Sequence, residues 1–438
     1  MNAELLIYVT KTTNRLRYIF DLILTELLGL SFRFTNDQEQ YKSYEGPKFS
    51  YGTQALDDGL FFKSAQLLFE REIDNQDLQP FVYKGLMAFF PVFHKQSALP
   101  FDLFAASFFL VSRYEEYLPF VQDSHGRFEA ESSCLSEMGM LQKPLINIWS
   151  HDLMELLQTY FPRLKFRLPV YQFTPTYDID IAWSYLHKGL YRTIGAYLRD
   201  LLAGDYTEIV ARTKVLRKKT NDPYDTYSLQ LDLQSRYKLY PIYFILFASY
   251  AHYDKNISRR NPAFRRLIRH LADYATIGIH PSYASTDDKT ILKQEVEALS
   301  EVIHSEITHS RQHFLRVKLP TVYHWLMDMD ITDDYSMGFA TQPGFRAGIA
   351  NSFLFYDLDH DLPTKLRVHP LIVMDGSLRD YLHIEKEAAK ELITTLINEV
   401  KKAGGNFISL WHNETLSNTK RWTGWNEVYT HLIEQAIS

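Results

Sequence analysis

The chain has 438 residues, of which 46% are hydrophobic and 23% are charged. This length exceeds what one hydrophobic core usually organises, so the sequence predicts two globular domains. A formal net charge of −6 at pH 7 argues against general nucleic-acid binding. The single cysteine, Cys134, excludes an intramolecular disulfide framework and a zinc site built from cysteines.

No targeting or membrane-spanning segment is visible in the sequence. The N-terminus begins Met1-Asn-Ala-Glu and lacks the basic segment, apolar core and small-residue cleavage site of a signal peptide. The most apolar run, residues 101–111, contains Asp102 and is too short to cross a bilayer. We therefore expect a cytoplasmic protein without a membrane span.

Residues 1–165 have the pattern of a smaller α/β domain. Residues 5–9 form an apolar run typical of a strand, and Gly29 is placed to end a helix. Helical spacing of apolar residues covers 14–28, 101–117 and 144–160, and further short apolar runs lie at 30–34, 48–51 and 86–90. No catalytic set is recognisable in this part, so the sequence leaves its role open.

A proline-punctuated stretch at residues 162–169 predicts a domain boundary, after which strand-like and helix-like segments alternate to residue 438. Residues 184–220 look like a helical insertion. Its basic run at 212–219 is typical of a solvated helix face or of a contact for an anionic substrate. We expect strands at 241–246, 275–279, near 313 and at 406–411, and helices over 262–274, 289–303, 320–327 and 384–402. Such alternation predicts a parallel sheet or barrel with its active groups at the carboxyl ends of the strands.

Two carboxylates, Asp178 and Asp180, end the strand-like segment 173–180. Side chains two residues apart in a strand lie on one face, so these acids project together. Their mutual repulsion is relieved by a metal ion and an arginine, with one acid as ligand and the other as base. The alternative is a strand-end turn with two solvated aspartates.

Four further polar groups lie near the ends of predicted strands. His280 follows the strand at 275–279 and could bind Zn²⁺, although a lone histidine also serves as a capping or core group. In extended geometry Arg311 and His313 share a face, so Arg311 could neutralise a carboxylate while His313 reaches a metal. His412 ends the apolar strand at 406–411.

Aromatic residues make up 15% of the chain, which suits an aromatic-lined sugar site and equally suits an aromatic core. Tyr283, close to His280, is a candidate substrate contact. Arg346, in a glycine-flanked loop, could meet a carboxylate or phosphate on the substrate, or it could make a loop salt bridge.

In this order the motifs resemble those of the polysaccharide deacetylases, the NodB-homology group of carbohydrate esterase family four. Thr176-Tyr-Asp178-Ile-Asp180 resembles the family's Thr-Phe-Asp-Asp motif with one residue interposed, and Ile277-Gly-Ile-His280 resembles its second motif. Arg311 matches the centre of the third motif and His412 the end of the last. The resemblance covers about residues 170–415, and the whole chain looks like a two-domain bacterial branch of that family.

The resemblance implies a distorted (β/α) barrel over residues 166–438, preceded by the smaller α/β domain. It also implies a divalent metal, usually zinc, with Asp180 and His280 as ligands. Asp178 would be the general base, held by Arg311, and His412 would be the general acid.

One position departs from the family's motifs. The second ligand histidine is expected four residues after His280, where this chain has Ala284. We predict that His313 takes its place as the third metal ligand. Water, or the hydroxyl of Ser282 or Tyr283, is the alternative.

The implied activity is metal-dependent hydrolysis of the acetamide of N-acetylated sugars, in a glycan or a glycan precursor. One alternative is a barrel that binds glycans or a protein partner without catalysis. Another is a metal-independent hydrolase of a small cyclic amide. Bound metal would distinguish the first function from the other two.

Overall fold

A computed structural model describes residues 4–438, and its N-terminal part is built on a small parallel sheet. The strands of this part are β1 (Leu5–Tyr8), β2 (Phe32–Thr35), β3 (Lys48–Gly52), β4 (Phe61–Lys63), β5 (Phe81–Tyr83) and β6 (Leu86–Ala88). The helices are α1 (Asn14–Phe20), α2 (Gln38–Ser43), α3 (Leu103–Val111), α4 (Cys134–Glu137) and α5 (Leu145–Tyr160). The first four strands pair in the order β2-β1-β3-β4, all parallel, while β5 and β6 form a hairpin.

Three helix boundaries in this part have clear local causes. The Thr13 side chain caps α1, which continues as a π-helix from Asp21 to Leu27. Gly29 follows at φ +67°, so the predicted end of this helix is confirmed. In contrast, α3 ends at Val111, short of the predicted residue 117, because Arg113 turns into the left-handed region at φ 55°.

The C-terminal part carries the larger sheet. Its strands are β7 (Gln172–Ile179), β8 (Ile242–Leu246), β9 (Thr276–His280), β10 (His309–Ser310), β11 (Asp333–Met337), β12 (Phe353–Asp357), β13 (Leu362–Pro370), β14 (Val373–Met374) and β15 (Asn406–His412). Its helices are α6 (Leu190–Leu202), α7 (Tyr206–Leu216), α8 (Tyr227–Tyr237), α9 (Pro262–Ala272), α10 (Lys289–Ile303), α11 (Thr321–Met327), α12 (Lys386–Ala403) and α13 (Trp425–Ile437).

These nine strands pair in the order β12-β13-β11-β10-β9-β8-β7-β15-β14 and curl into a half-barrel. Every pair is parallel except β12 with β13. The predicted fold class, a distorted (β/α) barrel after a small α/β part, is confirmed. Because the strands are parallel, their carboxyl ends meet at one mouth.

The strand predicted near His313 is shorter than expected, because β10 covers only His309 and Ser310. The chain then turns into a 3-10 segment, within which Phe314 has φ 60°. Arg311 stays tied to the sheet, since its N–H donates to the Ile279 carbonyl at 3.0 Å.

The two parts of the chain pack against each other closely. Buried apolar side chains from Leu5 to Leu164 and from Tyr177 to Ala436 form one continuous hydrophobic core. The Tyr18 hydroxyl donates to the Leu354 carbonyl at 2.7 Å. The division after residue 165 stays a prediction from sequence. No helix among residues 4–438 has the length and hydrophobicity needed to cross a membrane.

Candidate active site

Asp178 lies near the carboxyl end of β7, the third strand from the β14 edge of the half-barrel, and is 2% exposed. Its Oδ1 accepts a hydrogen bond from Arg311 Nη1 at 2.9 Å. The fully buried Arg311 also donates to Thr176 Oγ1 at 2.6 Å and to the Tyr335 carbonyl at 3.0 Å. Its guanidinium is therefore fixed in position and compensates the charge of the Asp178 carboxylate.

Asp180 faces two imidazoles. Its Oδ1 lies 3.3 Å from His280 Nε2, and its Oδ2 lies 3.5 Å from His313 Nε2. One ligand atom from each residue lies within 4.8 Å of the others, a spacing that could hold a metal ion. Oδ1 of Asp180 is buried without a hydrogen-bond partner. A buried carboxylate oxygen requires a partner, so this donor set fits a divalent cation.

Contacts at Nδ1 fix the orientation of both histidine rings in this group. His280 Nδ1 lies 2.6 Å from the Arg311 carbonyl, and His313 Nδ1 lies 2.9 Å from Asp254 Oδ1. These contacts leave Nε2 of each ring directed toward Asp180. Metal-binding histidines commonly use their other ring nitrogen in this way, with a carbonyl or a carboxylate as partner.

The same contacts shape the electrostatics. Burial raises the pKa of Asp180, but the His313 and His280 rings outweigh it and hold this pKa well below its ordinary value. Burial lowers the pKa of His313, whereas Asp180 and Asp254 together raise it to about 9. The Asp180 carboxylate is therefore ionised, and the neighbouring His313 imidazole is protonated. A bound metal cation would replace a proton of that imidazole.

His412 ends β15, whose register places it beside Asp178. Its Nδ1 lies 2.8 Å from Asp375 Oδ1, its backbone N–H donates to Asp375 Oδ2 at 2.8 Å, and its Nε2 lies 3.7 Å from Asp180 Oδ2. Burial lowers the pKa of His412, but Asp375 first, and then Asp180 and Asp178, raise it well above its ordinary value. The ring is thus held as an imidazolium, and its Nε2 is directed at Asp180.

These side chains form the floor of a cleft of about 370 Å³ at the mouth of the half-barrel. Its walls are mostly apolar and aromatic, and include Phe314, Leu315, Met374, Tyr381, Leu410 and Trp422. A concave apolar site with a few convergent polar groups is the usual form of a small-molecule site.

The N-terminal part contributes to this cleft through a loop at residues 123–128. Arg127 lines the cleft, with Nε bound to Asp123 at 2.7 Å and Nη1 donating to the Phe314 carbonyl at 2.8 Å. In the reverse direction, Arg316 Nε donates to the His125 carbonyl at 2.6 Å. The loop and the turn that carries His313 therefore hold each other in place.

Two residues singled out in the sequence lie elsewhere. Arg346 is 2% exposed, and its Nη2 and Nε bind Glu116 at 2.7 and 2.9 Å. Of the two alternatives for Arg346, the structure shows the salt bridge and places the residue outside the lining of the cleft. Tyr283 is likewise outside that lining, with its ring stacked on Tyr253 at 4.2 Å.

Three residues at the site were missed by sequence reasoning: Asp254, Asp375 and Arg127. Asp375 had a signal that could have been used, because it directly follows β14 at the carboxyl edge of the sheet. Asp254 and Arg127 lie on loops whose positions depend on packing with distant segments, and the sequence gives no pattern for either.

A second group that could hold a metal lies outside the cleft, where α11 meets the turn after β12. Asp357 Oδ2 lies 2.7 Å from His324 Nε2 and 2.6 Å from His360 Nδ1. The Asp357 carboxylate is buried, but His360 is largely exposed. A variant of this second group therefore serves as a control when metal binding at Asp180 is tested.

Comparisons with known proteins find one family model and several similar solved structures. Residues 5–162 match the model of a family of unknown function (DUF7033). No curated protein matches the chain. In structure the chain resembles a protein from Mycobacterium smegmatis named as a polysaccharide deacetylase, at 15% identity and TM-score 0.40, over 60% of this chain and 84% of that one.

Two further solved structures are similar. A protein from Pseudomonas aeruginosa PAO1, also named as a polysaccharide deacetylase, has 10% identity and TM-score 0.37, over 60% of this chain and 83% of its own. A polysaccharide deacetylase from Bacillus cereus has 9% identity and TM-score 0.30, over 61% and 86%. At such low identities and TM-scores the likeness does not assign an activity to this chain.

Proposed function

We propose that this protein is a metal-dependent hydrolase that removes acetyl groups from N-acetylated sugars. One observation carries the proposal: a single cleft holds a carboxylate bound to an arginine, a group of side chains that could hold a metal ion, and a histidine bound to a carboxylate. These are Asp178, the trio of Asp180, His280 and His313, and His412. Their order along the chain also resembles that of the polysaccharide deacetylase motifs.

The metal would be held by Asp180, His280 and His313. Two imidazoles and one carboxylate form a ligand set typical of catalytic zinc, which keeps a further position open. When bound, such an ion supplies Lewis acidity, polarising a carbonyl group and making a water molecule more acidic. We therefore propose zinc as the cofactor.

The proton transfers fall to the chain's own residues. Asp178, fixed by Arg311, accepts the proton of the attacking water. His412 is protonated at neutral pH because Asp375 raises its pKa, so it can donate a proton to the departing sugar nitrogen. Acid and base thus lie opposite each other on the adjacent strands β15 and β7.

The cleft walls agree with a sugar substrate. The half-exposed ring of Tyr381 lines the cleft and offers a flat surface for the apolar face of a sugar ring. A cytoplasmic location, as the sequence predicts, would favour a glycan precursor as the substrate.

Elemental analysis of the purified chain tests the metal site. After stripping with a chelator and reloading with Zn²⁺, we expect one equivalent of cleft-bound zinc that is lost in His313→Ala and retained in His360→Ala. Loss of zinc in His360→Ala alone would place the metal at the second group and overturn the assignment.

Acetate release tests the reaction. The zinc-loaded protein should release acetate from N-acetylglucosamine oligosaccharides or monosaccharides, and the stripped protein should not. Turnover of a small cyclic amide by the stripped protein would instead support the metal-independent alternative. Zinc binding without turnover of any N-acetylated sugar would support a binding protein.

A further inference from the structure

Helix α6, in the insertion between β7 and β8, has its apolar side turned to solvent. The residues of this apolar stripe recur at helical spacing, and they are Leu190, Tyr191, Ile194, Leu198, Leu201 and Leu202. Tyr191 is 92% exposed, Leu202 88% and Leu190 70%, and the other three are about half exposed. A surface helix normally buries such a stripe against the core.

The opposite side of α6 meets the protein through polar contacts. Arg192 donates to the carbonyls of Asn256 and Lys255 at 2.9 and 3.0 Å. Asp200 is buried in an ion pair with Arg212, and the Tyr197 hydroxyl lies 2.8 Å from Thr213 Oγ1. The helix is therefore anchored with its polar side inward, so the exposed stripe does not result from loose packing.

A basic groove of about 790 Å³ lies beside the first turn of α6. Its cationic lining residues are Lys188, Arg192, Arg259 and Arg260. Among residues 4–438, none of these side chains has a carboxylate within 4.0 Å. Burial and the neighbouring arginines, Arg192 first, lower the pKa of Lys188 to about 8, and they outweigh the opposing effect of the more distant Asp222.

The charge of the whole insertion has the same sign. Residues 188–219 hold eight Lys and Arg against three Asp and Glu, in a chain whose net charge is −6. The insertion that carries the apolar stripe is therefore positively charged. An apolar helix face next to unpaired cations is the pattern of a segment that lies in a membrane interface, with side chains among acyl chains and cations at the phosphates.

We propose that the α6 stripe and the basic groove dock this protein on the surface of a bilayer that contains anionic phospholipids. The stripe enters the boundary between headgroups and acyl chains, and the groove binds lipid phosphates. This proposal does not depend on the reaction proposed above.

A second copy of the chain is a less favourable occupant of the stripe. A two-fold dimer presents the same patch on both subunits. The basic groove of one copy would then lie near that of the other, and like charges across an interface are costly. An anionic bilayer surface, in contrast, offers acyl chains to the apolar stripe and phosphates to the cations.

Docking through α6 would bring the cleft close to the membrane. The insertion begins after Asp180, at the carboxyl end of β7, which is also the mouth of the half-barrel. Lys420 Nζ binds Glu208 of α7 at 2.6 Å, and the next two residues, Arg421 and Trp422, line the cleft. The docked protein would thus hold its cleft near headgroup level.

Co-sedimentation of the full chain with phospholipid vesicles tests the proposal. We expect binding to vesicles of phosphatidylcholine with phosphatidylglycerol, weak binding to phosphatidylcholine alone, and a decline with salt. The double variant Leu198→Asp, Leu202→Asp should bind at least about tenfold less. The double variant Arg259→Glu, Arg260→Glu should also bind less and lose much of the salt dependence.

Tyr240→Asp is the matched control. Tyr240 is 86% exposed but precedes β8, at the edge of the sheet opposite the mouth, so this variant should bind as the wild type does. Thermal unfolding followed by circular dichroism checks that all variants are folded, as expected for changes at exposed positions.

Sedimentation velocity without vesicles distinguishes the other occupant. A dimer that dissociates in the Leu198→Asp, Leu202→Asp variant, without binding to vesicles, would assign the stripe to a second copy and overturn the proposal. The proposal would also be overturned if the wild-type protein did not bind anionic vesicles, or if these variants bound them as well as the wild type does.

Discussion

Nδ1 of His313 lies 2.9 Å from Oδ1 of Asp254, a buried carboxylate on the loop after β8. This contact directs Nε2 of His313 toward Asp180. Ala284 occupies the place where the motif that this chain resembles has its second histidine. In the proposed metal site, His313 takes the role of that histidine and Asp254 orients it.

Replacing Asp254 by asparagine should weaken zinc binding by about 10–100-fold, because partners of this kind raise the basicity of a ligand histidine and fix its orientation. Asparagine keeps an oxygen that can accept the Tyr283 N–H, so the loop should hold its shape. Competition with a chromophoric chelator measures the affinity. His360→Ala serves as control, and an unchanged affinity in Asp254→Asn would separate Asp254 from the metal site.

Asp178→Asn should lower the rate of acetate release by about 10²–10⁴-fold, because it removes the proposed proton acceptor. Bound zinc should remain, since Asp180, His280 and His313 are intact. The Arg311 charge is left without its carboxylate, so thermal unfolding must show that the variant is folded at the assay temperature. Wild-type turnover in a folded, zinc-loaded variant would mean that Asp178 is not the base.

Glu116→Gln should lower the free energy of unfolding by about 3–5 kcal/mol, because it leaves the buried Arg346 without a counter-charge and removes one of the two carboxylates that bind the buried Arg113. Glu116 binds Arg113 Nε at 2.7 Å and Arg346 Nη2 at 2.7 Å. Urea denaturation measures the change. Asp232→Asn is the control: it breaks a surface pair with Arg236, at 2.8 Å, and should cost less than about 1 kcal/mol. Equal costs for both variants would contradict the prediction.

Glu295 predicts a pH dependence of stability. Burial raises its pKa to about 7, above the ordinary value of 4.5. The folded protein therefore holds this proton more tightly than the unfolded chain, so the contribution of Glu295 to stability is full below pH 4.5 and declines as the pH rises to about 7. The total loss is about 3 kcal/mol.

Glu295→Gln should remove that decline, so its stability relative to wild type should increase with pH and level off above about pH 7. Denaturation at a series of pH values measures this difference. The matched change Glu297→Gln, on the exposed side of α10, should give no such trend. A flat difference for Glu295→Gln would show that this carboxyl titrates normally in the folded protein.

Local signals in the sequence predict strands β7, β8, β9 and β15 of the larger sheet and several helices, but not strands β11 to β14. Helix α10 has the predicted bounds 289–303 because Asp288 caps its first turn and apolar residues follow at helical spacing. Asp178, His280 and His412 were found because each ends a recognisable strand, and the carboxyl ends of parallel strands converge.

Other features depend on contacts that no local pattern contains. Asp254 contacts His313, and Arg127 lines the cleft, because the loop after β8, the turn at His313 and the N-terminal loop pack together. Arg346 has the same glycine-flanked setting whether it faces a substrate or Glu116, and only the fold distinguishes these. Similarly, the apolar residues of α6 recur at helical spacing in the sequence, but this spacing does not say which side of the helix faces the solvent.

The reciprocal contacts between the loop at 123–128 and the turn at His313 limit how this protein can be divided. Arg127 holds the Phe314 carbonyl, and Arg316 holds that of His125. A barrel expressed alone, or fused to an unrelated N-terminal part, would lose these two hydrogen bonds beside His313. The two parts should therefore be inherited and engineered as one unit, with the interface between them as constrained as the cleft itself.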